Sequence, residues 1–399
     1  SILQIAAYTG AGGVSFVLVA MNVGFAAYAH RLFFEGATGL NKRSQEFFLA
    51  MFLLLVCLCV QVQETFNRAR FNVPLGRIAF VQPDIPQDLK WDVAQERNIL
   101  DVLGQTTLAA AATRPDLILW PEAVEPGSVQ ADPGLRAWTE TLASRAGTPL
   151  LLGSIARQGP PGGEVWSNAA FAVDPHAGLQ TAFYAKRKLV PFGEYVPLRP
   201  IFGWLSKFVP IGDDFTPGTA ASSLVVSLQG EPTAVGPLIC YEDTYASLAR
   251  ATVRDGADVL AVLTNDAWYG EGAEAYQHAA HSVLRAVETR RPVLRCGNAG
   301  WSGWIDEFGG IRAVLTQDAD GRIHTKPGED GTVYFRGSAA VTVTRDRRWI
   351  GRDSFYVEHG EWFPAVCGGL TLLGWLALRA GARPARRGRP SWRRPAAEG

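Results

Sequence analysis

The sequence is poor in cysteine and has no clusters of histidine. It holds five cysteines and six scattered histidines, with no CxxC pair and no Cys/His group at zinc spacing; no metal site and no cofactor are expected. Net charge is also missing: 38 basic residues balance 38 acidic ones, so no overall field points to nucleic acid. The first apolar stretch lacks the basic n-region and small-residue cleavage site of a signal peptide. It starts at Ser1, without Met, directly in apolar sequence, and the chain is expected to be the later part of a longer membrane protein.

What is present is unevenly spread, with apolar residues concentrated at both ends. Ile5 to Ala29 is long enough to cross a bilayer, and its scattered Gly and Ala suit close helix packing in lipid. Asn22 within it reads either as an interhelical hydrogen bond, the preferred reading, or as a substrate-facing group. After a connector from Arg31 to Arg43, Phe47 to Val62 forms a short second span with Glu46 and Gln61 at its interfaces. Phe363 to Leu378 is a third. The tail Arg383 to Arg394, rich in Arg, Pro and Gly, is expected to be disordered. That tail reads as a nucleic-acid arm or, preferably, as a topology determinant. The positive-inside rule makes it cytoplasmic, together with Lys42 and Arg43, and sends the intervening domain across the membrane. Arg68, Arg70 and Arg77 weaken this without reversing it.

From Gly76 the pattern alternates. Strands are expected at Arg77 to Gln82, Asp116 to Trp120, Pro149 to Ser154, Thr233 to Ile239, Val259 to Thr264 and Pro292 to Cys296. Helices are expected at Asp92 to Ala112, Leu135 to Ala146, Glu242 to Asp255 and Tyr276 to Thr289. Such alternation argues for an α/β domain. Pro197 to Phe215 interrupts it with Trp204, Phe208 and other aromatic or apolar residues. It reads as a loop packed on the domain or, preferably, as an arm dipping into lipid.

Three stretches of this domain place reactive side chains at strand-end turns. Pro237-Leu238-Ile239-Cys240-Tyr241-Glu242-Asp243 delivers a thiol to a strand-to-helix turn, where backbone N–H groups and a helix N-terminus stabilise a thiolate or an oxyanion. Taken alone, Cys240 reads as a small buried hydrophobe. Leu117-Ile118-Leu119-Trp120-Pro121-Glu122-Ala123 brings one carboxylate, Glu122. Phe183 to Tyr195 brings Lys186, then a Pro-Phe-Gly turn and Glu194. Cys296 ends an apolar strand and reads as core, while Cys57, Cys59 and Cys367 lie in the spans.

A Glu, a Lys and a Cys in this order and setting resemble the nitrilase, or carbon–nitrogen hydrolase, superfamily. The resemblance covers roughly residues 77 to 345 and also includes Val81 to Trp91, Thr264 to Gly270 and Asn298 to Gly303. The segments around Gln82, Lys90-Trp91 and Asn265-Asp266-Ala267-Trp268 resemble its apolipoprotein N-acyltransferase branch. Pro83-Asp84 departs from the Gly-Asn pair more usual there, a change expected to alter a turn rather than the chemistry.

The resemblance implies an α/β, nitrilase-like four-layer α-β-β-α sandwich with flanking transmembrane helices, and further helices upstream. The implied division is a membrane region at 1–70, a periplasmic catalytic domain at 71–358, a C-terminal transmembrane helix at 359–380 and a cytoplasmic tail at 381–399, in a bacterial inner membrane. It implies Cys240 as nucleophile, Glu122 as general base and Lys186 as oxyanion stabiliser with N–H help near Tyr241. Glu194 supports Lys186 or the acceptor, unless it merely pairs with Arg187 or Lys188. Trp91, Tyr241 and Glu242 are candidates for shaping the pocket, and Asn265 and Trp268 for its wall. The implied partners are a phospholipid acyl donor, a diacylated apolipoprotein acceptor and the membrane. The alternatives are a membrane-anchored amide or nitrile hydrolase with the same triad, and a non-catalytic lipoprotein-binding membrane protein.

Overall fold

The computed structural model describes residues 2–34, 44–87, 89–90, 92–160, 162–202, 204, 214–324 and 332–381. The membrane-type helices α1 (Ala6–Phe33) and α2 (Gln45–Phe71) come first, and α2 runs directly into β1 (Asn72–Gln82). Next are α3 (Glu96–Ala111), β2 (Leu117–Leu119), α4 (Pro133–Ala146), β3 (Leu150–Gln158), β4 (Val165–Asp174), β5 (Gly178–Ala185) and the short α5 (Arg199–Phe202). The second half holds β6 (Leu224–Leu228), β7 (Glu231–Ile239), α6 (Ala246–Arg254), β8 (Val259–Thr264), α7 (Glu274–Thr289), β9 (Val293–Gly297), β10 (Gly303–Ile305) and β11 (Ile311–Val314). β12 (Gly337–Asp346), α8 (Phe355–His359) and α9 (Trp362–Gly381) close the chain.

The strands form two six-stranded mixed sheets, ordered β12-β1-β2-β3-β4-β5 and β11-β10-β9-β8-β7-β6. The expected strands read as continuous apolar runs because both faces of each central strand are covered. In β2, Leu117 and Leu119 face the other sheet, in a core shared with Ile239 and Leu263. Ile118 turns the other way, toward Ile99 and Leu103 of α3 and Leu142 of α4. In β8, Leu260 and Val262 likewise meet Leu248 of α6 and Ala279 of α7. The result is four layers, helices–sheet–sheet–helices, as expected. Sequence reading did not resolve β4, β6, β10, β11 and β12, or the start of β5. The expected helix over Glu242 to Asp255 is broken: Cys240–Thr244 is a 3-10 turn and Tyr245 is extended (φ −94°, ψ 102°) before α6 starts. The Glu242 carboxylate turns back to accept the Ile239 N–H at 2.8 Å, which holds the turn apart from the helix.

Among the described residues, three helices, Leu3–Phe33, Gln45–Arg68 and Trp362–Ala380, are long and apolar enough to cross a membrane. The second span is longer than expected because its last turns bind the α/β domain: Arg348 reaches Glu64 at 3.1 Å, and Arg68 pairs with Asp306. α1 and α2 pack closely where Gly24 meets Ala50, a Cβ on Gly24 coming within 2.8 Å of the Ala50 methyl. Asn22 donates to Leu18 O of its own helix at 2.8 Å. α1 is interrupted at Gly10 (φ 65°), and the freed Ala11 N–H is taken by buried Glu288 at 2.8 Å. Only glycine suits this break, since a Cβ would also lie 2.6 Å from the Tyr356 ring.

The start of α1, the end of α2 and the start of α9 thus adjoin the domain, at the N-terminal ends of its parallel strands. The connector residues 35–43 and the tail from 382 lie outside the described residues. So does most of the aromatic arm, including Phe208. The base of that arm is clamped: Asp214 accepts from Val196 N at 2.9 Å and from Arg199 Nε at 2.7 Å. Leu198, Ile201 and Trp204 are exposed beyond it.

Candidate active site

Three strand ends carry the expected side chains: those of β2 and β7, which have parallel partners, and that of β5, which pairs antiparallel with β4. Glu122 follows β2, Lys186 follows β5 and Cys240 follows β7. The Lys186 ammonium lies 3.1 Å from Glu122 Oε1 and 2.9 Å from Glu194 Oε1. Asn168, on β4, donates to the same two oxygens at 2.7 and 2.8 Å. All of these groups are buried. Glu122 Oε2 is also buried and has no hydrogen-bond partner among the described residues. One carboxylate oxygen is therefore held and the other is left to accept a proton.

The backbone at these turns is tight. Cys240 adopts φ 53° and Ala123 φ 40°, left-handed values that non-glycine residues keep only where the surroundings enforce them. Gly153 on β3 makes room for the Glu122 turn: a Cβ there would lie 2.6 Å from Pro121 O and 2.7 Å from Glu122 Cα. Asp84 also sits at a left-handed position (φ 53°), where short polar residues are tolerated, and its N–H donates to Asn298 O at 2.8 Å. The Pro83-Asp84 departure thus lies in irregular backbone directly after β1.

Electrostatics sort the groups. Burial would lower the Lys186 pKa, but Glu122, Glu194 and Cys240 hold it well above the ordinary lysine value. Burial raises the Glu122 carboxyl, yet Lys186, Lys90 and the Asn168 hydrogen bond outweigh it and leave it below the usual range. Burial and then the Glu122 charge push the Cys240 thiol up, against Lys186. The strand-end turn therefore does not by itself keep a resting thiolate.

The supporting residues bind the turns to one another. Glu194 accepts from Lys186 Nζ (2.9 Å) and from the Val190 N–H (2.8 Å). Glu242 accepts four bonds: from Tyr184 Oη (2.7 Å), Ile239 N (2.8 Å), Arg187 N (2.7 Å) and Lys188 N (3.0 Å). It ties the cysteine turn to the lysine turn. Tyr241 donates to Leu189 O at 2.7 Å, and its ring lies 5.6 Å from the Lys186 ammonium. Asn265 joins Gln87 at 2.6 Å and Asn298 at 3.1 Å along one wall, and Trp268 is exposed beside it. Trp91 lies outside the described residues.

Behind Cys240, Arg295 reaches Asp243 at 2.9 Å, and His278 bridges Asp243 (3.1 Å) and Asp266 (2.9 Å). Burial and Arg295 disfavour the imidazolium, but the two carboxylates raise His278 above its ordinary pKa. Cys296 is fully buried, its thiol 3.3 Å from Val81 O and from Leu119 O, and burial pushes it up to about 12. Among the described residues, no group of three or more His, Cys, Asp or Glu side chains could hold a metal ion.

Sequence reading missed two residues of the site, Asn168 and Lys90. The signal for Asn168 was a polar residue beginning the apolar run Ala169-Ala170-Phe171, since a buried amide must find partners.

A family model for carbon–nitrogen hydrolases matches residues 77–343. An apolipoprotein N-acyltransferase from Geobacter metallireducens is 32% identical over 344 residues, which is 84% of this chain and 63% of the relative. The apolipoprotein N-acyltransferase of Chlorobaculum tepidum is 30% identical over 407 residues, 96% of this chain and 70% of the relative. The chain thus spans 63% and 70% of the length of these two relatives. Among solved structures, an alanine variant of a nitrilase-superfamily amidase from Nesterenkonia AN1 matches with a TM-score of 0.50 at 19% identity, covering 71% of this chain and 94% of that one. That likeness concerns the fold alone. Matched over residues 77–343, and similar along most of its length to apolipoprotein N-acyltransferases, the chain belongs to the carbon–nitrogen hydrolase family.

Proposed function

We propose that this protein is a membrane-embedded N-acyltransferase. It moves an acyl chain from a phospholipid, through a thioester on Cys240, to the N-terminal amine of diacylglyceryl-cysteine apolipoproteins. The observation that carries the reading is the half-tethered Glu122: Oε1 is fixed by Lys186 and Asn168, while Oε2 is buried and has no partner among the described residues. Glu122 takes the thiol proton as Sγ attacks the ester carbonyl carbon. The carbon–oxygen bond then breaks, and the proton passes to the departing glycerol oxygen, releasing lysophospholipid. In the second half the amine nitrogen attacks the thioester and the carbon–sulfur bond breaks. Glu122 passes the amine proton to the thiolate, leaving an amide. The Lys186 charge stabilises the oxyanion of both tetrahedral intermediates.

The same reading puts the chain in a bacterial inner membrane with residues 71–358 on the periplasmic side. The membrane helices at 1–70 and 359–380 anchor it, and the tail from 381 is cytoplasmic. The helices join the domain at the strand ends opposite Cys240, so lipid reaches the site along the 197–215 arm. The exposed Leu198, Ile201 and Trp204 support that role.

The test is ping-pong behaviour. Phospholipid alone is expected to give one stoichiometric release of lysophospholipid and then stall. A diacylated lipopeptide with a free N-terminal amine restarts turnover and yields an amide, whereas its N-acetylated form does not. Steady release of free fatty acid without an acceptor would establish the hydrolase alternative instead.

A further inference from the structure

Glu122 is flanked by two lysines. Lys186 reaches its carboxylate, while Lys90, arriving from the turn after β1, donates to its main-chain carbonyl at 3.2 Å. Lys90 is only 4% exposed. A buried ammonium is costly unless nearby negative charge offsets it, and a neutral side chain could brace a carbonyl more cheaply. The charge count explains why an ammonium stands here. Glu122 and Glu194 bring two negative charges and Lys186 one positive. Lys90 makes the resting group neutral. It stays neutral after the Cys240 proton moves to Glu122, since one anion replaces another. Asp266, the other carboxylate near the thiol, belongs to a separate cluster in which it and Asp243 share Arg295 and His278.

We propose that Lys90 is a positioning residue of the acyl transfer: it fixes the Glu122 turn and supplies the fourth charge that keeps the Glu122–Cys240 pair neutral overall while their proton is exchanged. This rests on Cys240 being the nucleophile. The charged and titratable groups facing this centre are Glu122 from the end of β2, Lys186 and Glu194 from the segment after β5, Tyr241 from the turn after β7, and Asp266 and Tyr269 from the turn after β8. Burial brings Lys90 down to about 8, with Glu122 and Cys240 pulling the other way. It is therefore charged at neutral pH and loses its charge as pH rises through that value.

The experiment is the pH profile of the lysophospholipid burst for wild type, Lys90→Met, Lys90→Gln and Lys90→Arg in the full chain. Wild type is expected to turn down above about pH 8. Lys90→Arg, which keeps its charge throughout, should lack that downturn. Lys90→Met and Lys90→Gln should run about tenfold below wild type at neutral pH, the effect of one pKa unit, with no downturn. An unchanged profile in either neutral variant, or a downturn surviving in Lys90→Arg, overturns the proposal. Failure of all three variants to fold assigns Lys90 to the core and overturns it as well. Absence of any acyl adduct on wild-type Cys240 is a separate result that sinks the functional reading. In that event, the pH dependence of Cys240 alkylation by iodoacetamide still reads the effect of Lys90.

Discussion

Cys240→Ser is expected to abolish acyl-enzyme formation, with a rate loss of about four orders of magnitude or more. The reason lies in proton affinity. The Cys240 thiol is already pushed up by burial and by Glu122, and a hydroxyl in its place holds its proton far more tightly. Glu122, held below the usual carboxylate range, cannot take that proton. The fold should survive, because serine is nearly isosteric and φ 53° at this position is set by the surrounding turn. A change in stability within about 1 kcal/mol is expected. Intact-protein and peptide mass spectrometry after incubation with phospholipid checks both points. Wild type should carry one acyl group on Cys240, and the serine variant none. An acyl group on Cys296 would sink the assignment, although that thiol is fully buried. A normal burst from the serine variant would sink it equally.

Glu122→Gln is expected to slow acylation by about a hundredfold to ten-thousandfold, the usual contribution of a general base. The amide oxygen can still accept from Lys186 and Asn168, so the turn keeps its shape. What is lost is the proton acceptor at Oε2. A second readout moves the opposite way. The Glu122 charge pushes the Cys240 thiol up, so its removal should bring the onset of iodoacetamide alkylation to lower pH. A residue that merely supported the fold would slow both reactions together. Burst kinetics and the alkylation profile, measured on one preparation, separate these outcomes. Parallel loss of both would count against Glu122 as the base.

The spans, the α/β alternation and the strand-end positions of Glu122, Lys186 and Cys240 were legible because their signals are local. An apolar run of a few residues followed by Pro121-Glu122 or by Cys240-Tyr241 reads as a buried strand reaching a turn whatever the rest of the chain does. The break after Thr244 was not legible. Helical propensity carries Glu242 into α6, and it takes the four bonds made by that carboxylate to hold the turn separate. β4 and the start of β5 escaped for a related reason. Their partners lie along a hairpin whose register, Ala170 opposite Tyr184, is a matter of pairing rather than of composition.

By itself, the sequence determined which segments are apolar enough for a bilayer, that the middle of the chain is an α/β domain, and which residues stand at strand ends. These depend on runs and periods of a few residues. Only the tertiary structure decided what those residues do to one another. Asn168 meets Glu122 across 46 positions of sequence, and Lys90 meets it across 32. Glu194 turns to Lys186, and Glu122 keeps one buried oxygen without a partner among the described residues. Proton affinities in a buried site are set by charges a few ångströms away and by exclusion of water, and sheet packing, not chain order, sets which charges those are.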